Sequence, residues 1–236
     1  MNQYRFALWY FAVSIAFIIL ENTHLALAAL IAKSLIIPSL MIFYHFSVKG
    51  NYGLFHKIIM IGLLFSWFGD VSLELDETNL PFNLNPDLLF KIGLTTFLIT
   101  QLIYFIAFSL PKGKNLIFSG RIYQTILVVF YGGIMMYCLY KSLGDMKLPV
   151  IAYMVIILLM LLAALNRYGK VNGLSYILVT LGAILFVISD SLIAITRFHM
   201  EINFAGVIIM ITYVTAQYLI VLGCIRQNII AQKSET

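Results

Sequence analysis

The sequence predicts an all-α polytopic membrane protein of eight transmembrane helices, and three observations carry that prediction. Hydrophobic residues fill 62% of the 236 positions and charged residues only 11%. The mean hydropathy of +0.98 follows from that balance, which is the composition of a chain solvated by lipid. Short polar hinges interrupt the apolar runs at about the interval of one bilayer crossing, roughly 20 residues. Positive residues then concentrate on alternate hinges, as topology in a membrane requires. Almost nothing is left over for a soluble domain, so residues 1–236 read as a single transmembrane domain.

The first span is expected near 5–20. With Arg5 before it and Ala26-Leu27-Ala28 after it, this short run also has the outline of a cleaved leader. Cutting there would truncate the next hydrophobic run, so the segment is read as a retained span. The second span, 25–46, carries Lys33 and Pro38, and the third, 57–75, carries Asp70 within "WFGDVSLEL". The fourth, 87–109, holds Gln101 and Tyr104. The fifth, 120–140, contains Gly132-Gly133, where small residues permit close helix contact. Spans near 148–165, 173–196 and 202–225 complete the set, the seventh with Ser189 and Asp190 and the eighth with Tyr213 and Gln217.

Loop charges set the expected orientation. Arg5, Lys49, Lys57, Lys112, Lys114, Arg121, Arg167, Lys170, Arg226 and Lys233 fall on one side, predicted to be cytoplasmic together with both termini. The opposite loops hold Glu21, Glu74, Asp76, Glu77, Asp87, Asp145 and Glu201 against Lys91, Lys141, Lys147 and Arg197. The net charge of +5 is thereby a topology signal. No basic run of the kind that binds nucleic acid is present, and no nucleic-acid partner is expected. Cys138 and Cys224 fall on opposite sides in this topology, so no disulfide is expected between them. The expected location is a bacterial plasma membrane.

With Glu235 in the tail, Asp70 and Asp190 are the acidic residues left inside spans, where an ionised carboxylate costs several kcal/mol and must face the bundle interior. Their surroundings align without a gap: "GLLFSWFGDVSL" (Gly62–Leu73) matches "GAILFVISDSLI" (Gly182–Ile193) at an offset of 120 residues. That match suggests a four-plus-four parallel repeat with halves 1–118 and 119–236. At 1.5 Å of rise per residue, both aspartates would lie roughly 7–9 Å below the outer end of their helices and Lys33 roughly 12 Å. Lys33 is therefore the expected charge partner, and the three are expected to line one cavity.

Gln101 and Tyr104 are three apart and Tyr213 and Gln217 four apart, so each pair shares a helix face. They would extend the polar layer inward, or serve interhelical hydrogen bonding instead. Trp67, three residues before Asp70, would wall its pocket or simply pack. His24, His45, His56 and His199 sit at span ends without paired ligand spacing, so no histidine metal site and no cofactor are expected. Ser189 has no histidine nearby in sequence to activate it.

"FGDVSL" (Phe68–Leu73), "YMVIILLMLLA" (Tyr153–Ala163), "GAILFVISDSLIAITRF" (Gly182–Phe198) and "YVTAQYLI" (Tyr213–Ile220) resemble the YhhN-like lysoplasmalogenase family of eight-span membrane proteins, with Lys33 where that family carries a lysine. In its fourth span the family reads His-x-x-Tyr, whereas this chain has Gln101-Leu-Ile-Tyr104. The resemblance implies hydrolysis of the vinyl ether bond of a lysophospholipid, the lysoplasmalogen, within a lipid membrane. Such a bond is cleaved by protonating its β-carbon to give an oxocarbenium ion, which water captures. Asp70 and Asp190 can divide the acid and anion roles, as paired carboxylates do in glycoside hydrolysis. Lys33, Gln101, Tyr104, Ser189, Tyr213 and Gln217 would bind substrate or support them. A proton-coupled transporter of lipids or small molecules, built on the same aspartates, is the alternative.

Overall fold

The computed structural model describes the chain except residues 1–2, 22, 24, 49, 51, 78–84, 112–120 and 229–236. His24, Lys49, Lys112, Lys114, Lys233 and Glu235 therefore lie outside the described residues. Among the described residues, eight helices are long and apolar enough to cross a membrane. They are α1 (Gln3–Glu21), α2 (Ala26–Ser47), α3 (Leu54–Glu77), α4 (Pro86–Ser109), α5 (Ile122–Leu139), α6 (Lys147–Leu165), α7 (Gly173–Phe198) and α8 (Ala205–Ile225). Each coincides with an expected span. The chain is an integral multi-pass membrane protein.

Two compact units divide it, Met1–Tyr104 and Phe105–Thr236. The boundary falls inside α4.

In the first unit, α1 docks on α2 through Phe6, whose ring stacks on Phe43 at 4.1 Å. The Trp67 indole N–H donates to the Ser34 carbonyl at 2.9 Å, tying α3 to α2. Trp67 thus has the packing role. At the other end of the same helix pair, the Tyr44 hydroxyl bonds the His56 Nδ1 at 2.7 Å, and His56 is buried rather than interfacial. Helix α4 approaches α3 over glycines: a Cβ on Gly62 would stand 2.6 Å from the Tyr104 ring, and one on Gly69 2.6 Å from Phe97. Close backbone approach in lipid relies on such small residues, because apolar side chains gain little there by leaving the tails.

In the second unit, α7 and α8 pack most intimately. A Cβ on Gly182 would sit 2.8 Å from the Ala216 carbonyl oxygen, and one on Gly223 2.9 Å from the Val179 nitrogen. Phe186 meets Tyr213 edge to face at 5.5 Å. Gly132 of α5 admits Leu158 of α6, whereas Gly133 faces open space. Leu139, Leu143 and Val150 close the turn between those helices. The α6–α7 turn departs from a simple charged loop. Arg167 is fully buried, donating to Ser175 Oγ at 2.9 Å, while Ser175 Oγ donates to the Gly223 carbonyl. Its guanidinium lies over the Phe108 ring. Lys170 is buried in the same turn, and burial pushes its amine below the usual lysine range. These two residues lock the end of the unit instead of solvating it.

The glycine contacts predict a contrast. Gly182→Ala must push the α8 backbone and should cost about 1–3 kcal/mol. Gly133→Ala should change stability by less than about 1 kcal/mol, since its Cβ meets nothing. Thermal unfolding of the two variants in detergent measures the difference.

Candidate functional site

Helix α3 sets a buried polar stripe along one face of the first unit. Ser66, Asp70 and Glu74 recur every four residues and are 0%, 3% and 2% exposed. Lys33 Nζ lies 3.0 Å from Glu74 Oε2, and its ammonium also stands over the Phe17 ring, 5.1 Å from the centroid. Glu74 is therefore not an outer-loop acid. Helix α3 continues to Glu77, which carries Glu74 into the bundle one turn beyond Asp70. A carboxylate there must be paired, and the ion pair of Lys33 is made with this glutamate. The sequence pointed to the aspartates as partners of Lys33; the ion pair is with Glu74, which loop charge had set among the outer acids although it falls within the expected span 57–75. The spacing Asp70 to Glu74 was the available signal.

Gln101 and Tyr104 share the buried face of α4, both fully enclosed. Tyr104 covers Gly62. The two amide atoms of Gln101, Oε1 and Nε2, are buried without a hydrogen-bond partner among the described residues.

In the second unit the tyrosine hydroxyl of Tyr153, on α6, donates to Asp190 Oδ2 on α7. A cavity of about 50 Å³ adjoins them, walled by Tyr131, Met135, Met154, Ile157 and Val187 among others, so the carboxyl opens on a mostly apolar space. Beside it, the hydroxyls of Tyr131 and Ser191 are joined at 2.6 Å. Ser189 turns the other way, donating to the Ile209 carbonyl of α8 at 3.1 Å. Tyr213 and Gln217 belong to the buried face of α8, with Gln217 Nε2 3.4 Å from the Tyr213 hydroxyl and Tyr213 packed on Phe186. Ser189, Tyr213 and Gln217 thus lie along the α7–α8 contact, apart from the wall that holds the Asp190 cavity.

Tyr153 was present in the sequence as one aromatic among many. The offset of 120 that relates Asp70 to Asp190 also relates Lys33 to Tyr153, and that arithmetic could have singled it out. In each case a polar head from the preceding helix reaches a carboxylate, an ammonium to Glu74 and a phenol to Asp190. The paired glycines also act alike: Gly62 admits α4 and Gly182 admits α8. Among the described residues, no three His, Cys, Asp or Glu side chains form a group that could hold a metal ion.

The ion pair carries a stability prediction. Lys33→Met leaves Glu74 uncompensated and should cost about 3–5 kcal/mol. Adding Glu74→Gln should restore most of it, a non-additivity that thermal unfolding of the two single variants and the double variant resolves.

Comparison with known proteins finds named relatives. Curated relatives include the lysoplasmalogenase TMEM86A of Bos taurus, 29% identical over 175 residues, which are 72% of this chain and 66% of the relative. The lysoplasmalogenase TMEM86B of Homo sapiens is 36% identical over 85 residues, 36% of this chain and 34% of the relative. The chain therefore spans just under two thirds of the length of the first relative and about a third of the second. No solved structure matches. The YhhN family model matches residues 28–224, from α2 through α8 and across every polar position described above, and the chain belongs to the YhhN family.

Proposed function

We propose that the protein is a membrane-embedded hydrolase that cleaves the vinyl ether bond of lysoplasmalogens, releasing a fatty aldehyde and a glycerophospho-base. The observation that carries the reading is a pair of intramembrane carboxyl groups in chemically different settings, within a family whose named relatives are lysoplasmalogenases. Asp70 is enclosed in a charged stripe beside the Lys33–Glu74 pair. Asp190 opens on a mostly apolar cavity and accepts one phenolic hydrogen bond. A bacterial plasma membrane is the proposed location.

The reaction needs one proton donor and one anion. Asp190 is assigned as the acid: with Tyr153 engaging Oδ2, the other carboxyl oxygen carries the proton to the β-carbon of the vinyl ether. Protonation breaks the carbon–carbon π bond and leaves an oxocarbenium ion at the α-carbon. Asp70 is assigned as the anion that stabilises this cation and accepts a proton from the attacking water. The hemiacetal so formed passes its hydroxyl proton to the departing glycerol oxygen through the carboxyl groups, giving aldehyde and alcohol. One water is consumed and both carboxyl groups return to their starting states. Mostly apolar walls of the Asp190 cavity suit the hydrocarbon end of the substrate, and they keep bulk water from the cation.

The purified protein in detergent should release aldehyde from a lysoplasmalogen and none from the ester-linked lysophospholipid of the same head group. In heavy-oxygen water the released glycerol hydroxyl should carry no label, because water attacks the α-carbon. Asp70→Asn and Asp190→Asn should remain folded and lose activity by about 10²-fold or more. Tyr153→Phe should slow the reaction by about tenfold, the worth of one hydrogen bond. Folded wild-type protein that yields no aldehyde refutes the assignment.

A further inference from the structure

We propose that Gln101 is the residue that recognises the free sn-2 hydroxyl of the substrate, and thereby distinguishes a lyso-lipid from one whose glycerol carries no hydroxyl there. This rests on the lysoplasmalogen reading above and deepens it. Gln101 is fully buried, and both of its amide atoms are without a hydrogen-bond partner among the described residues. Enclosing an amide without a partner forfeits its hydration with nothing in return, so a side chain kept in that state has its partner elsewhere.

Helix geometry relates Gln101 to Asp70. Helix α3 meets α4 through Gly62, Gly69 and Leu73, opposite Tyr104, Phe97 and Gly93 in that order, so the helices run antiparallel. At about 100° per residue, Asp70 lies roughly 80° to one side of the contact on α3. Gln101 lies roughly 60° to one side of the contact on α4, turned in the same helical sense. Rotations of the same sense on antiparallel helices point to the same flank, so the two side chains share it. Along the axis, the pairing of Phe97 with Gly69 and of Tyr104 with Gly62 sets Gln101 about five residues from the level of Asp70, or roughly 7 Å. In a lysoplasmalogen, the sn-2 oxygen and the β-carbon of the vinyl ether are joined by bonds of about 1.5 Å that span roughly 6 Å when extended. The hydroxyl can reach Gln101 while the vinyl ether stays beside Asp70.

The chemistry of the orphaned group selects its ligand. A phosphate offers only acceptors and an amine head group only donors, so each would leave one amide atom unmatched. A hydroxyl both donates and accepts, and it satisfies Oε1 and Nε2 together. Gln101 also lies well inside α4, about four turns from its first residue, away from the helix ends where charged head groups belong. A site built to bond a hydroxyl rejects the analogue lacking it far more strongly than an apolar pocket rejects an added one.

The test compares a 1-alkenyl-2-hydroxy lysophospholipid with its 2-deoxy analogue on wild-type protein and on Gln101→Leu and Gln101→Met, two variants that remove the orphaned amide and should fold. Wild type should prefer the hydroxyl substrate by about 10²-fold or more in kcat/KM, and each variant should reduce that preference to below about threefold. Binding of the matching 1-O-alkyl lipids, which cannot be hydrolysed, should show the same loss of discrimination. Equal preference by wild type, or an equal fall on both lipids in the variants, overturns the proposal and makes Gln101 a structural or water-binding residue. Wild type that discriminates the 1-O-alkyl pair but releases no aldehyde leaves the hydroxyl site standing and refutes the hydrolase.

Discussion

The interaction on which the rest depends is the buried ion pair of Lys33 and Glu74. A bundle immersed in lipid has no water with which to solvate a carboxylate, so each one drawn inside must bring its own partner. On α3 the partner is an ammonium from α2, one turn from Asp70. On α7 it is the phenol of Tyr153, from α6. The two units meet one electrostatic demand with different chemistry, and that difference gives two aspartates in matching sequence contexts unlike surroundings. An acid–anion division of labour requires such asymmetry.

Close helix packing holds these groups in place. Gly62 and Gly69 bring α4 against α3, and Gly182 and Gly223 bring α8 against α7, at separations that no larger residue permits. The main-chain anchors work alongside them: Trp67 to the Ser34 carbonyl and Thr100 to the Gly62 carbonyl, both inside the first unit. With the backbones fixed at contact distance, polar side chains on the flanks take defined directions. A carboxylate on a loosely packed helix would instead swing toward the interface.

Arg167 shows the same economy at the end of the second unit. A charge that loop position would leave in solvent is instead buried, where it bonds Ser175 and covers Phe108. Ser175 in turn reaches the Gly223 carbonyl. The turn between α6 and α7 is thereby tied to the far end of α8, and the helix pair that flanks Asp190 is closed from one side.

Much of the fold was legible in the sequence, because span length and hydrophobicity are local properties set by bilayer thickness. The eight helices of the described residues and the interior aspartates could be read from the order of residues. Glu74 was missed although the expected span 57–75 contains it, because so close to a span end hydropathy does not separate an acid turned to the loop from one turned inward. Tyr153 was harder to find, because aromatic residues are plentiful in spans and, apart from its offset of 120 from Lys33, its contact with Asp190 is what distinguishes it. Nor could sequence separate Ser189, Tyr213 and Gln217, along the α7–α8 contact, from Asp190 on the cavity wall. Which side chain faces which neighbour depends on helix rotation and on contacts between residues far apart in the chain. The sequence alone determined that charges would be buried in lipid; the tertiary structure decided with what each is paired, since pairing is a matter of distance.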